Sequence, residues 1–313
     1  MEASVLDKNR AMGSQQEIWL KPPAKINLSL VVFGRRPDGF HELHTIMATI
    51  GLHDDLHIRR AAASGIDLRC TGQPSPAQKE NLVYRAAKLL AELAGITPAL
   101  GIRLHKRIPP GAGLGGASSD AAACLLGLNQ MWDLHLSRNQ LSELAARLGS
   151  DVPFFLHAPV ALCRGRGEQV KPLPHRCSRS LVLILPDLST PTADVYQNYA
   201  YDQVRSQDYM RRVNYFLRRG DLDGLAIQQI NSLHDSCMDL FQPLQKLKRQ
   251  IQNTGIGPLQ ISGSGSCLFT TCPTCQEAEG WAQKIRENNP AQVYALSFFD
   301  QRGPFLEVHH ADI

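Results

Sequence analysis

The stretch Pro110-Gly111-Ala112-Gly113-Leu114-Gly115-Gly116-Ala117-Ser118-Ser119 carries the clearest chemistry in the chain. Four glycines in six positions let backbone N–H groups approach a ligand closely, and an alanine-rich helical pattern follows at once. The free N–H groups and the dipole at a helix start favour an anion. Ser118 and Ser119 add hydroxyls in the first turn, suited to a phosphate or a metal-bound oxygen. A plain turn needs only one glycine, so the group of four argues for a phosphate. The loop lacks the Lys-Ser/Thr ending of a Walker A loop. Gly111, Gly113 and Gly116 fit G-x-G-x-x-G, which keeps a dinucleotide site open. Such a site leads through a helix to a strand ending in an acid about 20 residues on, and the context here argues against it. Leu134-His135-Leu136 runs instead into a second helical pattern. The Val-Ala-Ile-Lys, His-Arg-Asp and Asp-Phe-Gly sets of a protein kinase are absent.

Two ionisable residues complete a possible phosphoryl-transfer set. Lys25 sits in Pro23-Ala24-Lys25-Ile26-Asn27-Leu28, where strand alternation puts Lys25 and Asn27 on one face. Asp151 sits in Gly149-Ser150-Asp151-Val152-Pro153, at a helix-to-strand corner. A carboxylate near a lysine and a phosphate loop accepts a hydroxyl proton while the lysine balances phosphoryl charge. Alone, such a lysine reads as a solvated edge charge and such an aspartate as a turn residue, and sequence does not bring them together. Ile261-Ser262-Gly263-Ser264-Gly265-Ser266 is a second Gly-Ser loop, either a hairpin turn or a lid against the first.

Other groupings carry less. Cys272-Pro273-Thr274-Cys275 lacks the second pair of a structural zinc site, even with Cys267 and His309 considered. His53, Asp54, Asp55 and His57 read as solvated surface, as do Lys246, Lys248 and Arg249 on a helix face and His309-His310 in the tail.

The elements that must position these groups alternate loosely. Strands are expected over residues 26–33, 43–52, 55–60 and 100–105, with Pro37-Asp38-Gly39 as a turn. Asn81 caps a helix that Gly95 ends, the loop feeds a helix over 117–132, and Ser137 with Gln140 forms a capping box for a helix ending at Gly149. Residues 152–156 read as a short apolar segment and 171–180 as a domain boundary. Beyond it come a buried-type strand at 181–185, helical patterns from Ala193, Gln207, Asp221, Gln242 and Gln276, and short strands near 259–261, 266–271, 293–298 and 305–308. The class is α+β or α/β in two layers.

Composition sets the outer bounds. The 313 residues are 43% hydrophobic and 20% charged, which excludes collagen and disordered classes. A net charge of +4 gives no electrostatic case for nucleic acid or membrane. The longest aliphatic run, Leu181 to Leu185, stops at Pro186, far short of the ~20 apolar residues of a span. Eight cysteines without a secretory signal suit a reducing cytoplasm, and residues before Trp19 read as a loose leader.

Taken together, these residues resemble the GHMP kinases, small-molecule kinases that include galactokinase, homoserine kinase and mevalonate kinase. Three family motifs occur in order: Pro23 to Asn27, Pro110 to Ser119, and Gly263 to Ser266. The segment Gly34-Arg35-Arg36-Pro37-Asp38-Gly39-Phe40-His41-Glu42-Leu43 is similar to members serving isoprenoid precursor synthesis, whose alcohol substrate has a cytidine diphosphate part. Lys106-Arg107-Ile108-Pro109 and Gly149 to Pro153 fit that branch too, and the resemblance runs from about Leu20 to Thr271.

The resemblance implies an α+β, two-domain GHMP-kinase fold with the active site in the cleft between domains. The N-terminal domain would be S5-domain-2-like and the C-terminal one ferredoxin-like α/β. After the flexible leader expected at 1–18, which fits no family motif, it implies an ATP-binding domain at 19–172 and a second domain at 173–313. ATP and Mg2+ are the implied cofactors. By resemblance Asp151 is the base and Lys25 its electrostatic partner. Pro110, Gly111, Ala112, Gly113, Leu114, Gly115, Gly116, Ala117, Ser118 and Ser119 cradle the nucleotide phosphates, with Ser119 the candidate hydroxyl for Mg2+. Asn81 and Lys106 line the adenine side. Asn27 meets the alcohol and His41 the cytosine, between Phe40 and Tyr196, whose Tyr and Phe identities are exchanged relative to the usual order. Thr192, Gly263 and Ser264 line the substrate side. The implied partner is that small molecule alone, with no nucleic acid or membrane, for a cytoplasmic monomer or homodimer. A family kinase for another alcohol, an NAD-binding oxidoreductase and an RNA-binding module of the S5 type stay open as alternatives.

Overall fold

The structure, a computed structural model, describes residues 16–174, 177–298 and 306–307. In chain order, β1 (Glu17–Leu20), β2 (Pro23–Arg35), β3 (His41–His53), β4 (Asp55–Arg60) and β5 (Gly65–Gly72) precede α1 (Leu82–Ala94). β6 (Ala99–Lys106) leads through the glycine loop into α2 (Gly116–Met131), α3 (Arg138–Leu148), α4 (Val152–His157), β7 (Val160–Gly165) and β8 (Gln169–Pro172). The second half holds β9 (Ser180–Leu185), α5 (Thr192–Gln197), α6 (Gln203–Arg219), α7 (Leu222–Ala226), β10 (Ile230–Asn231) and α8 (His234–Leu240). It ends with α9 (Gln242–Gln252), β11 (Gln260–Ile261), β12 (Leu268–Cys272), α10 (Cys275–Asn288), β13 (Gln292–Ser297) and β14 (Leu306–Glu307).

Three sheets form among the described residues, ordered β14-β1-β4-β6-β5, β10-β2-β3-β7-β8 and β11-β12-β9-β13. The long β2–β3 hairpin runs through the second of them, and its turn needs Gly39 at φ 83°. α2 is alanine-rich because it is buried on nearly every side, packing against α1, α3, α4 and strands of the first two sheets. A Cβ on its Gly127 would lie 3.0 Å from a Leu20 methyl, so a small residue sets the distance of α2 from β1. The local signals hold: Asn81 accepts from the Val83 N–H, Gly95 ends α1 at φ 65°, and Ser137 and Gln140 form the reciprocal capping box.

Several expectations change. Glu17 and Ile18, placed in the leader expected at 1–18, belong to β1 instead, and Ile18 is buried; residues 1–15 lie outside the described residues, as do His309 and His310. Residues 152–157 form a helix rather than a bare apolar segment, so Asp151 sits at a helix-to-helix corner. β5, β10 and α8 were not expected: β5 alternates weakly, β10 has two residues and α8 is short and polar. The expected boundary at 172/173 falls just after β8, yet the second half donates β10 to the N-terminal sheet, pairing Ile230 with Ser29 and Asn231 with Leu30.

Candidate active site

The glycine loop is held open by backbone geometry. Gly111, Gly113 and Gly115 have φ of 68°, 74° and 69°, and Gly115 caps α2 with no side chain. The Lys25 N–H donates to the Leu114 carbonyl at 2.9 Å, which ties the loop to β2. The second Gly-Ser loop closes against it. The Ser262 hydroxyl donates to the Gly113 carbonyl at 2.9 Å and accepts from the Asn27 N–H at 3.3 Å. Asn231 on β10 secures the same loop, its amide donating to the Ile261 and Gly263 carbonyls at 3.1 and 2.9 Å.

Lys25 is 4% exposed, not a solvated edge charge. Its ammonium donates to Asn27 Oδ1 at 2.8 Å and lies 3.5 Å from Asp151 Oδ2. The Asn27 amide in turn donates to Thr45 Oγ1 at 2.8 Å, which fixes which way it faces. Asp151 precedes α4 without capping it, and about a third of its side chain stays open, at 34%. The carboxylate is therefore held by a buried cation and free on its outer side.

Two hollows share the glycine loop. A cleft of about 720 Å3 is lined by Lys25, Asn27, Asp151, Phe40, His41, Thr192, Tyr196, Gly263 and Ser264. A smaller one of about 240 Å3 is lined by Asn81, Lys106 and the loop from Pro110 to Ser118. Gly111, Gly113 and Gly115 line both. The residues expected around the alcohol thus line the larger hollow and those expected around the nucleotide, Ser119 excepted, line the smaller one. Ser119 is buried, and its hydroxyl has no partner among the described residues.

The aromatic end of the cleft is built on the β2–β3 hairpin and α5. The His41 ring lies 5.4 Å from Tyr196, tilted by 34°, and edge-on to Tyr199 at 5.9 Å. Burial and the Arg35 charge lower the His41 pKa, which favours the neutral imidazole. Phe40 is half exposed, with the Arg166 guanidinium 4.9 Å from its ring centre. Thr192 and Ser264 hydroxyls meet at 3.0 Å across the cleft wall.

Lys106, which lines the smaller hollow, is held by two acids. Its ammonium is engaged by Asp54 and, at 2.7 Å, by Asp120, and all three are buried. Asp54 also accepts from the Ile108 N–H at 2.8 Å. Burial pushes the Asp120 carboxyl up to about 8 against the pull of Lys106; burial opposes charge on Lys106, but the two carboxylates raise its pKa. The reading of His53 to His57 as solvated surface fails at Asp54, and at His57, which stacks on Trp19 at 3.9 Å and lies 2.9 Å from Glu17. Thr45, Tyr199 and Arg166 at the cleft carry no signal in the sequence. A dinucleotide site is set aside: α2 leads to α3, and β6 pairs antiparallel with β4 and parallel with the preceding β5. Among the described residues no three His, Cys, Asp or Glu form a metal-ligand cluster, and no helix is long and apolar enough to cross a membrane.

The glycine loop, the Lys25–Asp151 pair beside it and the mixed α+β architecture fit a small-molecule kinase, and the chain belongs to the GHMP kinase family. The profile described as "GHMP kinases N terminal domain" matches residues 81–158. Within the family, the chain is 38% identical over 279 residues to the 4-diphosphocytidyl-2-C-methyl-D-erythritol kinase of Pelotomaculum thermopropionicum, covering 89% of this chain and 97% of that one. It is also 38% identical over 253 residues to the enzyme of the same name from Bacillus cereus strain AH187, covering 81% and 87%. A crystal structure of 4-(cytidine 5'-diphospho)-2C-methyl-D-erythritol kinase superposes with a TM-score of 0.71 at 35% identity, over 90% of this chain and 99% of that chain. Homoserine kinase from Cytophaga hutchinsonii shares the fold with a TM-score of 0.72 at 18% identity, over 92% and 97%.

Proposed function

We propose that the chain transfers the γ-phosphoryl group of ATP to the 2-hydroxyl of 4-diphosphocytidyl-2-C-methyl-D-erythritol. The observation that carries this reading is the Lys25–Asp151 pair, which lies in a cleft joining the glycine loop to an aromatic pocket. In the proposed complex, ATP lies along the smaller hollow with its phosphates on the N–H groups of residues 111–119. The alcohol enters from the larger cleft, with cytosine between Phe40 and Tyr196 and its edge on His41. Asp151 Oδ2 takes the proton of the attacking hydroxyl. Lys25 positions Asp151 and offsets charge developing on the transferred group. Asn27 orients Lys25 and faces the alcohol.

The unpartnered Ser119 hydroxyl fits a magnesium-bound oxygen in the first turn of α2. Mg2+, when bound there with ATP, neutralises phosphate charge. The reading includes a cytoplasmic enzyme, acting as a monomer or homodimer on a small molecule.

The test is a coupled ADP-release assay with ATP, Mg2+ and this substrate, with homoserine and mevalonate as controls. Turnover with the cytidyl substrate alone supports the reading. Turnover confined to another alcohol would move the chain to a different branch of the family.

A further inference from the structure

The turn between β7 and β8 touches both ends of the large cleft with successive residues. Arg166 stacks its guanidinium on Phe40, at 4.9 Å from the ring centre. Gly167 backs onto the reacting end, where a Cβ would lie 3.6 Å from Asp151 Oδ1. The turn therefore borders the cleft both at Phe40 and at Asp151.

The Arg166 guanidinium lines the cleft without a carboxylate partner among the described residues. The acids around it are engaged elsewhere. Glu168 accepts from the Arg166 backbone N–H at 2.6 Å. Glu42 accepts from Arg36 at 2.7 Å and from the Gly165 N–H at 3.1 Å. Asp38 also pairs with Arg36, at 3.2 Å. Arg35, opposite His41 in the hairpin register, adds a second cation at this end. At its aromatic end the cleft therefore carries the Arg166 guanidinium, which has no carboxylate partner among the described residues.

We infer that Arg166 is a specificity-determining residue that binds the diphosphate linking base and alcohol, an inference that rests on the cytidyl reading above. A planar guanidinium presents two parallel N–H groups to phosphate oxygens, and stacking on Phe40 orients that fork before the substrate arrives. The same cation rejects alcohols that lack the diphosphate, because its unpaired charge is then left in a partly desolvated cleft.

The test is calorimetric titration of the full chain with cytidine, CMP and CDP, for wild type, Arg166→Ala and Arg166→Lys, with melting curves confirming folded samples. Wild type should bind CDP well above cytidine. Arg166→Ala should weaken CDP by about tenfold to a hundredfold, the worth of charged hydrogen bonds, while leaving cytidine nearly unchanged. Arg166→Lys should recover part of the loss. If Arg166 merely props Phe40, CDP and cytidine weaken together and their ratio stands, which overturns the inference. Undiminished CDP binding by Arg166→Ala overturns it as well, and leaves the cytidyl reading intact. Failure of all three ligands to bind wild type would instead remove the cytidyl reading and this inference with it.

Discussion

The α-carbon of Gly113 faces the Ser262 carbonyl so closely that a methyl group on it would lie 2.1 Å from that oxygen. Gly113 also has φ of +74°, so it meets both a steric and a conformational requirement. Gly113→Ala should separate the two loops. The expected outcome is loss of ATP binding in a titration with a non-hydrolysable analogue, with a stability loss of about 1–3 kcal/mol from overpacking. Gly34→Ala, where a Cβ meets nothing within 4 Å, is the control.

Asp151 is partly open and caps nothing, so its removal should cost chemistry and little stability. Asp151→Asn should lower kcat by about a hundredfold to ten-thousandfold, the usual range for a general base, with a melting temperature near wild type. Full turnover in that variant would remove the base role and leave the kinase assignment standing.

The buried group of Lys106, Asp54 and Asp120 makes a contrasting case. Lys106→Met leaves the buried Asp54 carboxylate without its cation, which costs about 3–5 kcal/mol. Urea denaturation should report that loss, and Asp54→Asn added to it should restore part. A Lys106→Met protein of wild-type stability would show that the group does not hold the loop in place.

His44 on β3 supplies the pH dependence. Burial, then the Arg164 charge, lowers its pKa to about 4, and neither ring nitrogen has a partner. The folded state thus favours the neutral ring, while the unfolded chain takes a proton near 6.5. Stability from this group is full above that pH and is lost as pH falls toward 4, by roughly 3 kcal/mol. Denaturation midpoints between pH 7 and 4 should fall less steeply in His44→Leu than in wild type.

The aromatic end should act through stacking. Phe40→Ala and Tyr196→Ala should each weaken cytidine inhibition by about three- to tenfold, the scale of one aromatic contact, without changing the KM for ATP. Unaltered inhibition in both would place the base elsewhere.

Much of this site could be read in the chain because its signals are local. The glycine loop, the Lys25–Asn27 alternation, the Asn81 cap and the Ser137–Gln140 box depend on residues a few positions apart, and the structure keeps each one. What could not be read depends on distant partners. Asp54 sits beside a turn and looks solvated until Lys106, 52 positions on, is brought to it. Ser262 looks like a hairpin residue until Asn27, 235 positions earlier, meets it. Arg166 looks like any surface arginine, and only the packing of the β7–β8 turn over Phe40 singles it out. The corner at Asp151 was misread because Val152 to His157 is too short to show a helical period.

The two residues of β10 have a consequence for how such a chain can be inherited. Among the described residues they are the only strand paired along the outer edge of β2, and they come from the other half of the chain. A recombination event that exchanged everything before residue 173 for a foreign counterpart would have to keep that two-residue seam in register. A fragment ending there would expose a strand edge that invites self-association. The halves are therefore expected to descend together, as one unit of evolutionary exchange rather than two.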